Sequence, residues 1–241
     1  LYLVNPRLGF LLTGAIYLLG AIVLLTMKEP YIHPHKFTLK KHWQQTIESL
    51  KFSFKNIQVR WIIFYFFVGH IIYELVFAFF QQPILTNVGV TVEFFGILFA
   101  VMMGIRAIGA YFADHIEKLL KENLTLLLVL LSQVAIFWFL ASGNLFVVVS
   151  FIGLLYFIYG FEDIILEDYI NAHISSNKRA TVLSVQSMFH NAMMTIIFIV
   201  VGKAIDIFSM GTTLRYISMA LLLFTLILFT FKKGLVSKFQ A

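Results

Sequence analysis

Seven runs of mostly apolar residues, each about as long as a helix needs to cross a bilayer, dominate this sequence of 241 residues. The alternating pattern of a membrane β-barrel is absent, so the runs predict helices. Only 12% of the residues are charged, whereas an ordinary soluble domain carries about 25%. The sequence therefore predicts an all-α integral membrane protein with seven transmembrane helices, at 8–26, 59–80, 94–113, 124–141, 145–165, 181–201 and 214–231.

Charged residues are concentrated in the stretch 159–191, which joins the fifth and sixth runs and includes the end of one and the start of the other. Glu162 and Asp163 lie before its middle, and Lys178 and Arg179 lie after it. Charged groups cost far less at the ends of apolar segments than at the centre of a bilayer. We therefore predict that this stretch is a loop at a membrane face, on the cytoplasmic side.

Lysine and arginine residues are divided unevenly between the two predicted sides. Arg7, Lys203 and Arg215 lie opposite the 159–191 stretch, and Arg106 lies inside a run. Because cytoplasmic loops are rich in Lys and Arg, the pattern predicts a multi-pass protein of the plasma membrane with residue 1 outside and the C-terminus in the cytoplasm. The other 14 of the 18 basic residues are then cytoplasmic: Lys28, Lys36, Lys40, Lys41, Lys51, Lys55, Arg60, Lys118, Lys121, Lys178, Arg179, Lys232, Lys233 and Lys238.

The net charge of +6 resides mainly in these loops, so we expect the lipid bilayer, and not nucleic acid, as their partner. The sequence has no cysteine, which removes disulfide and thiolate-metal chemistry, and we expect no metal and no cofactor. The chain starts at Leu1 and enters an apolar run almost at once. We interpret it as a fragment that lacks upstream helices.

The polar segment after the first run has apolar residues at helical spacing, among them Leu39, Trp43 and Ile47, between lysines. This pattern predicts an amphipathic helix on the membrane surface, with a short soluble connector as the alternative. The predicted organisation is a helix at 1–27, a cytoplasmic linker at 28–57 and a six-helix domain at 58–241.

Three polar side chains in the second run, His70, Glu74 and Gln81, follow one another at intervals of four and seven residues. This spacing places them on one helical face, which should contact something other than lipid. A carboxyl group is costly in its charged form inside a bilayer, so Glu74 is a candidate for binding and releasing a proton. The alternative is a neutral Glu74 that only holds helices together.

The third run contains Arg106 and a ridge of small residues, Gly96, Ala100 and Gly104, at intervals of four. The ridge predicts close approach of another helix. The buried guanidinium group requires a partner, for which Glu162 and Asp163 are the preferred candidates.

The remaining polar candidates lie in the fifth and sixth runs. Tyr156 shares a face with Asp163, whereas His190 and Asn191 lie on a polar face of the sixth run. These side chains could bind a substrate, but hydrogen bonds between helices explain them nearly as well. The fourth and seventh runs have few polar residues and are predicted to be peripheral.

The segment Lys178-Arg179-Ala180-Thr181, with Ser184, resembles the start of the eleventh helix in bacterial drug-exporter-like members of the major facilitator superfamily. Asp114 and Lys118 fit a degraded copy of the loop motif that follows the eighth helix of that family. The resemblance implies two six-helix halves, of which this chain would be helices six to twelve. It also implies that Asp114, Lys118 and Arg179 belong to gating loops.

The resemblance further implies a secondary active transporter that works by alternating access and binds its substrate between the two halves. We expect a monomer that exports small molecules, energised by a proton gradient, and not an enzyme. Uptake of a small solute is the alternative direction, and a seven-helix receptor-like protein is a second alternative. The expected substrate and proton pathway contains His70, Glu74, Gln81, Arg106, Tyr156, Glu162, Asp163, His190 and Asn191.

Overall fold

The structure is a computed structural model and describes residues 5, 7–27, 39–174 and 176–236. The chain divides into two compact units, Leu1–Trp43 and Gln44–Ala241. The described residues are almost entirely helical, and seven helical segments among them are long and apolar enough to cross a membrane. The predicted all-α class and the seven spans are thus confirmed.

In chain order, the helices are α1 (Arg7–Thr26), α2 (Leu39–Lys55), α3 (Ile57–Leu75), α4 (Gln81–Asn87), α5 (Val92–Leu120), α6 (Glu122–Leu140), α7 (Leu145–His173), α8 (Ser176–Ile207) and α9 (Met210–Val236). A π-helical turn, Val76–Phe80, joins α3 to α4. In the second unit, the most extensive helix packing joins α5 to α7, and α6 packs against both α7 and α9.

The second span is longer than predicted, because the helix continues through Pro83 to Asn87. A proline ring is tolerated in the first turn of a helix, where its missing N–H is not needed. Pro83 occupies such a position, since the π-helical turn ends at Phe80 and α4 begins at Gln81. The wider turn resets the hydrogen-bonding pattern immediately before the proline.

The predicted loop at 159–191 is wrong. Helix α7 continues through Glu162 and Asp163 to His173, and α8 begins at Ser176. The two carboxyl groups do not need to lie at a membrane face, because both have partners on neighbouring helices. The connection between α7 and α8 is therefore much shorter than the loop predicted from the charged residues.

The close approach of helices also differs from the prediction. Gly96, Ala100 and Gly104 are exposed, and a Cβ atom at either glycine would meet nothing within 4 Å. Instead, a Cβ atom at Gly109 would collide with the Phe157 carbonyl, and one at Gly160 would collide with the backbone of Arg106. Helices α5 and α7 are thus brought together by two glycines on opposite sides of one contact.

We expect Gly109→Ala and Gly160→Ala each to destabilise the protein by about 1–3 kcal/mol, the usual cost of overpacking. The new methyl group would meet backbone atoms, which cannot move aside as a flexible side chain can. Thermal unfolding in detergent measures the effect. Gly96→Ala and Gly104→Ala, which lie in open space on α5 with Gly109, are the matched controls, and equal stability of all four variants would contradict the interpretation.

Candidate functional site

His70 lies in α3 and is buried, with its imidazole stacked on Phe66 at a centroid distance of 3.7 Å. Its Nε2 atom lies 3.3 Å from Oδ1 of Asp163 on α7. The ring also packs edge-on against Tyr159, at 5.3 Å. Aromatic contacts therefore fix the plane of the His70 ring, and one ring nitrogen lies against the carboxyl group of Asp163.

Arg106 of α5 donates from Nη2 to Oδ2 of Asp163 at 2.6 Å. Its guanidinium carbon lies 4.4 Å from the ring centroid of Tyr159 and 6.0 Å from that of Tyr73, and these two rings stack on each other at 3.7 Å. The arrangement combines a charged hydrogen bond with cation–π contacts. The predicted pairing of Arg106 with an acid of another span is confirmed, with Asp163 as the acid.

Glu74 lies one turn after His70 on α3, and its Oε1 atom is 3.0 Å from Nε2 of His190 on α8. The His190 side chain is only 7% exposed, whereas that of Glu74 is 40% exposed. The two histidine rings are 6.3 Å apart. Glu74 thus has one side against a buried imidazole and the other side open.

We call these five residues, His70, Glu74, Arg106, Asp163 and His190, the charged cluster. They come from four helices, α3, α5, α7 and α8, and contain two carboxyl groups, one permanent cation and two imidazoles. Imidazole is the side chain that changes charge most readily near neutral pH. The cluster therefore places two imidazoles next to carboxyl groups of neighbouring helices.

The predicted face shared by His70, Glu74 and Gln81 is only partly correct. Gln81 follows the π-helical turn and lies away from the charged cluster, where its Oε1 atom accepts from the Tyr156 hydroxyl at 3.0 Å. Both side chains of this pair are buried. Tyr73 connects the two regions, because its ring packs against Tyr156 at 5.6 Å.

Glu162 does not pair with Arg106. Its side chain is buried, and its Oε2 atom accepts from Nε2 of Gln133 on α6 at 2.7 Å. The prediction that the fourth span is peripheral is therefore wrong, since Gln133 points into the bundle. A lone amide in an otherwise apolar run was the sequence signal for this contact.

Several predicted site residues lie outside the charged cluster. Asn191 is exposed and donates to a backbone carbonyl of its own helix at 2.9 Å. Asp114 and Lys118 are exposed near the end of α5, and Arg179 donates to the Ile174 carbonyl at 3.4 Å near the start of α8. The gating role of the last three residues remains a prediction.

A cavity of about 210 Å³ opens beside the charged cluster, between α3, α7 and α8. Its wall combines charged or polar side chains with aliphatic ones. Among the residues of its wall, Gln186 is buried and its Oε1 atom has no hydrogen-bond partner in the described part of the chain. The lining residues are Phe66, His70, Asp163, Leu166, Glu167, Ile170, Arg179, Leu183 and Gln186.

Within residues 39–174 and 176–236, no three His, Asp or Glu side chains form a group that could hold a metal ion. Ionisable groups inside membrane-spanning segments are expensive, and they usually serve the movement of ions or solutes. A charged cluster and a partly polar cavity between membrane-spanning helices are typical of a protein of the transporter class.

The sequence profile described as Major Facilitator Superfamily matches residues 1–197. Because this match covers most of the chain, the protein belongs to the major facilitator superfamily, a family of secondary membrane transporters. A comparison of the sequence with curated proteins finds no match.

Proposed function

We propose that this protein exports small molecules by alternating access and that proton movement drives the export. The observation that carries the proposal is the contact between Glu74 and His190. A partly exposed carboxyl group and a buried imidazole, on two different membrane-spanning helices, lie next to each other there. A group of this kind can bind a proton from one side of the membrane and release it to the other when the helices move.

The charged cluster provides the physical link between protonation and helix position. Glu74 and His70 belong to one helix, but their partners belong to two, since His190 lies on α8 and Asp163 on α7. When Glu74 takes up a proton, its attraction to a protonated His190 is lost. The balance of contacts between α3 and its two neighbours then changes, while the hydrogen bond from Arg106 holds Asp163 in place.

The cavity beside the cluster is the proposed substrate-binding surface of this part of the chain. At about 210 Å³ it is smaller than typical ligand sites of about 300–1,000 Å³. We propose that the upstream half of the same transporter completes the site, as the family architecture implies. The mixed wall suits a small amphipathic solute with at least one hydrogen-bond donor, for which the Gln186 Oε1 atom is an acceptor.

We further propose a monomer in a bacterial plasma membrane that needs no metal or organic cofactor, binds no nucleic acid and has no enzymatic activity. Its partners are then the lipid bilayer and the transported solute. Uptake of a small solute remains the alternative direction.

Everted membrane vesicles containing the full-length protein provide the test of export. We expect ethidium to accumulate in the vesicles when respiration acidifies the interior, and to leave when nigericin collapses the pH gradient. Ethidium movement that does not respond to nigericin would contradict proton coupling. Energised depletion of ethidium from everted vesicles would favour uptake.

The proposed orientation predicts which connections react with a membrane-impermeant maleimide. The sequence has no cysteine, so single substitutions such as Ala180→Cys and Ser209→Cys each introduce one thiol into this part of the protein, and both positions are exposed. We expect Ser209→Cys to react in intact cells and Ala180→Cys to react only after permeabilisation. The reverse pattern would invert the topology.

A further inference from the structure

Glu162 is a buried carboxyl group that lies outside the charged cluster. It is buried in α7, next to Asp163, but it points away from the charged cluster toward α3 and α6. On the α6 side, Gln133 donates to Oε2 at 2.7 Å. On the α3 side it meets Gly69, where an added Cβ atom would collide with Oε1. Three helices therefore meet around one carboxyl group.

The absence of a side chain at Gly69 is what allows this placement. Any larger residue there would displace the Glu162 carboxyl group, whereas Gly104 has open space where its side chain would be. Gly69 lies directly before His70, so the same turn of α3 that presents an imidazole to Asp163 presents a bare backbone to Glu162. The acid and the glycine form a complementary pair across the contact between α3 and α7.

The hydrogen bonds of this group are incomplete for an ionised carboxylate. Oε1 of Glu162 and Oε1 of Gln133 are buried acceptors without a hydrogen-bond partner among the described residues. A carboxylate can only accept hydrogen bonds, whereas a protonated carboxyl group also supplies one O–H donor. Adding one proton therefore removes a buried charge and supplies the donor that these two oxygens lack.

The surrounding titratable groups do not offer a better way to hold a charge. His70 and Tyr65 approach from α3, Tyr159 and Asp163 lie on α7, and α6 contributes the neutral Gln133. Arg106 of α5 is held by Asp163, and the Nε2 atom of His70 also lies against Asp163. Arg106 and the Nε2 atom of His70 are thus both in contact with the neighbouring acid, Asp163.

We propose that Glu162 is a second proton-binding group of this protein, neutral while it lies against Gly69, and that it must leave this position when it ionises. Ionisation converts the acid to a carboxylate and gives one proton to a water molecule that reaches Glu162 once it has moved away from Gly69. The protonation of Glu162 is inferred from its contacts with Gly69 and Gln133 alone, whereas its use in driving transport rests on the proposed function.

Infrared spectroscopy of the purified full-length protein, in a detergent without ester groups, tests the protonation directly. We expect wild-type protein at neutral pH to show the carbonyl stretching band of a neutral carboxylic acid, and Glu162→Gln to lose that band. Gly69→Ala should also lose it, because the displaced carboxyl group reaches water and ionises. Gly104→Ala is the matched control and should keep it.

Identical spectra for the wild type and Glu162→Gln would overturn the proposal. A carboxylate band of Glu162 that shifts when Na⁺ replaces K⁺ would also overturn it, because the group would then be an ionised cation ligand. If Glu162→Gln fails to fold, the comparison of Gly69→Ala with Gly104→Ala decides the question alone. A neutral Glu162 in a protein that does not move ethidium would leave this proposal standing and reject the proposed function.

Discussion

Glu74→Gln is expected to reduce pH-gradient-driven ethidium transport to the level of vesicles without the protein, while exchange of ethidium without a gradient continues. Glutamine has nearly the same shape as glutamate but cannot bind or release a proton. It also carries no charge to place beside His190, whose Nε2 atom lies 3.0 Å from the carboxyl group of Glu74. The chemical step of coupling is therefore removed, and the path for the solute remains.

Glu93→Gln is the matched control for this change, because Glu93 is an exposed acid that accepts a hydrogen bond from Thr91 at the start of α5. Its neutralisation should leave both kinds of transport unchanged. Unaltered gradient-driven transport in Glu74→Gln would assign Glu74 a packing role only. Loss of both activities in that variant would instead indicate that Glu74 contacts the solute.

Breaking the pair between Arg106 and Asp163 is expected to produce the largest loss of stability. Arg106→Gln or Asp163→Asn should each cost about 1.5–3 kcal/mol, the range for a hydrogen bond to a charged group. The cost is high because each single change leaves the opposite charge in a membrane-spanning helix without its 2.6 Å partner. Asp163→Asn should be the more severe change, since the carboxyl group of Asp163 also contacts the imidazole of His70.

The double variant with both substitutions should be more stable than the sum of the single effects indicates, because no charge is left unpaired. Thermal unfolding of all three variants in detergent gives the coupling energy. Arg215→Gln provides a control, since Arg215 is exposed and its guanidinium carbon lies 5.8 Å from the Trp138 ring centroid. Strictly additive effects of the two substitutions would show that the ion pair contributes no coupling.

The seven spans could be predicted from sequence because their length and hydropathy are local properties. Arg106 could be assigned an acidic partner by the same reasoning, since a guanidinium group inside a span requires one. The choice between Glu162 and Asp163 could not be made, because these neighbours lie on different faces of α7. One faces Arg106 and the other faces Gln133, and only the packing of the helices decides which is which.

The errors have a common physical origin. The sequence pattern predicts a loop around Glu162 and Asp163 because charged groups cost less near water, yet each acid has a side-chain partner on another helix. Likewise, Gly96 and Gly104 have the spacing of a packing ridge, but Gly109 makes the close contact. A pattern within one helix shows which faces are suitable for contact, and the other helices decide which face is used.

The π-helical turn, Val76–Phe80, has a consequence for how side chains are aimed along one membrane span. In a regular α-helix Gln81, seven residues after Glu74, would point within about 20° of it. The π-helical turn instead contains one extra residue, which rotates the helical faces after the turn relative to those before it. Glu74 therefore contacts α8, whereas Gln81 contacts α7. One membrane-spanning helix can therefore contact two neighbouring helices at different depths, and the side chains at one end can be changed without rotating the other end.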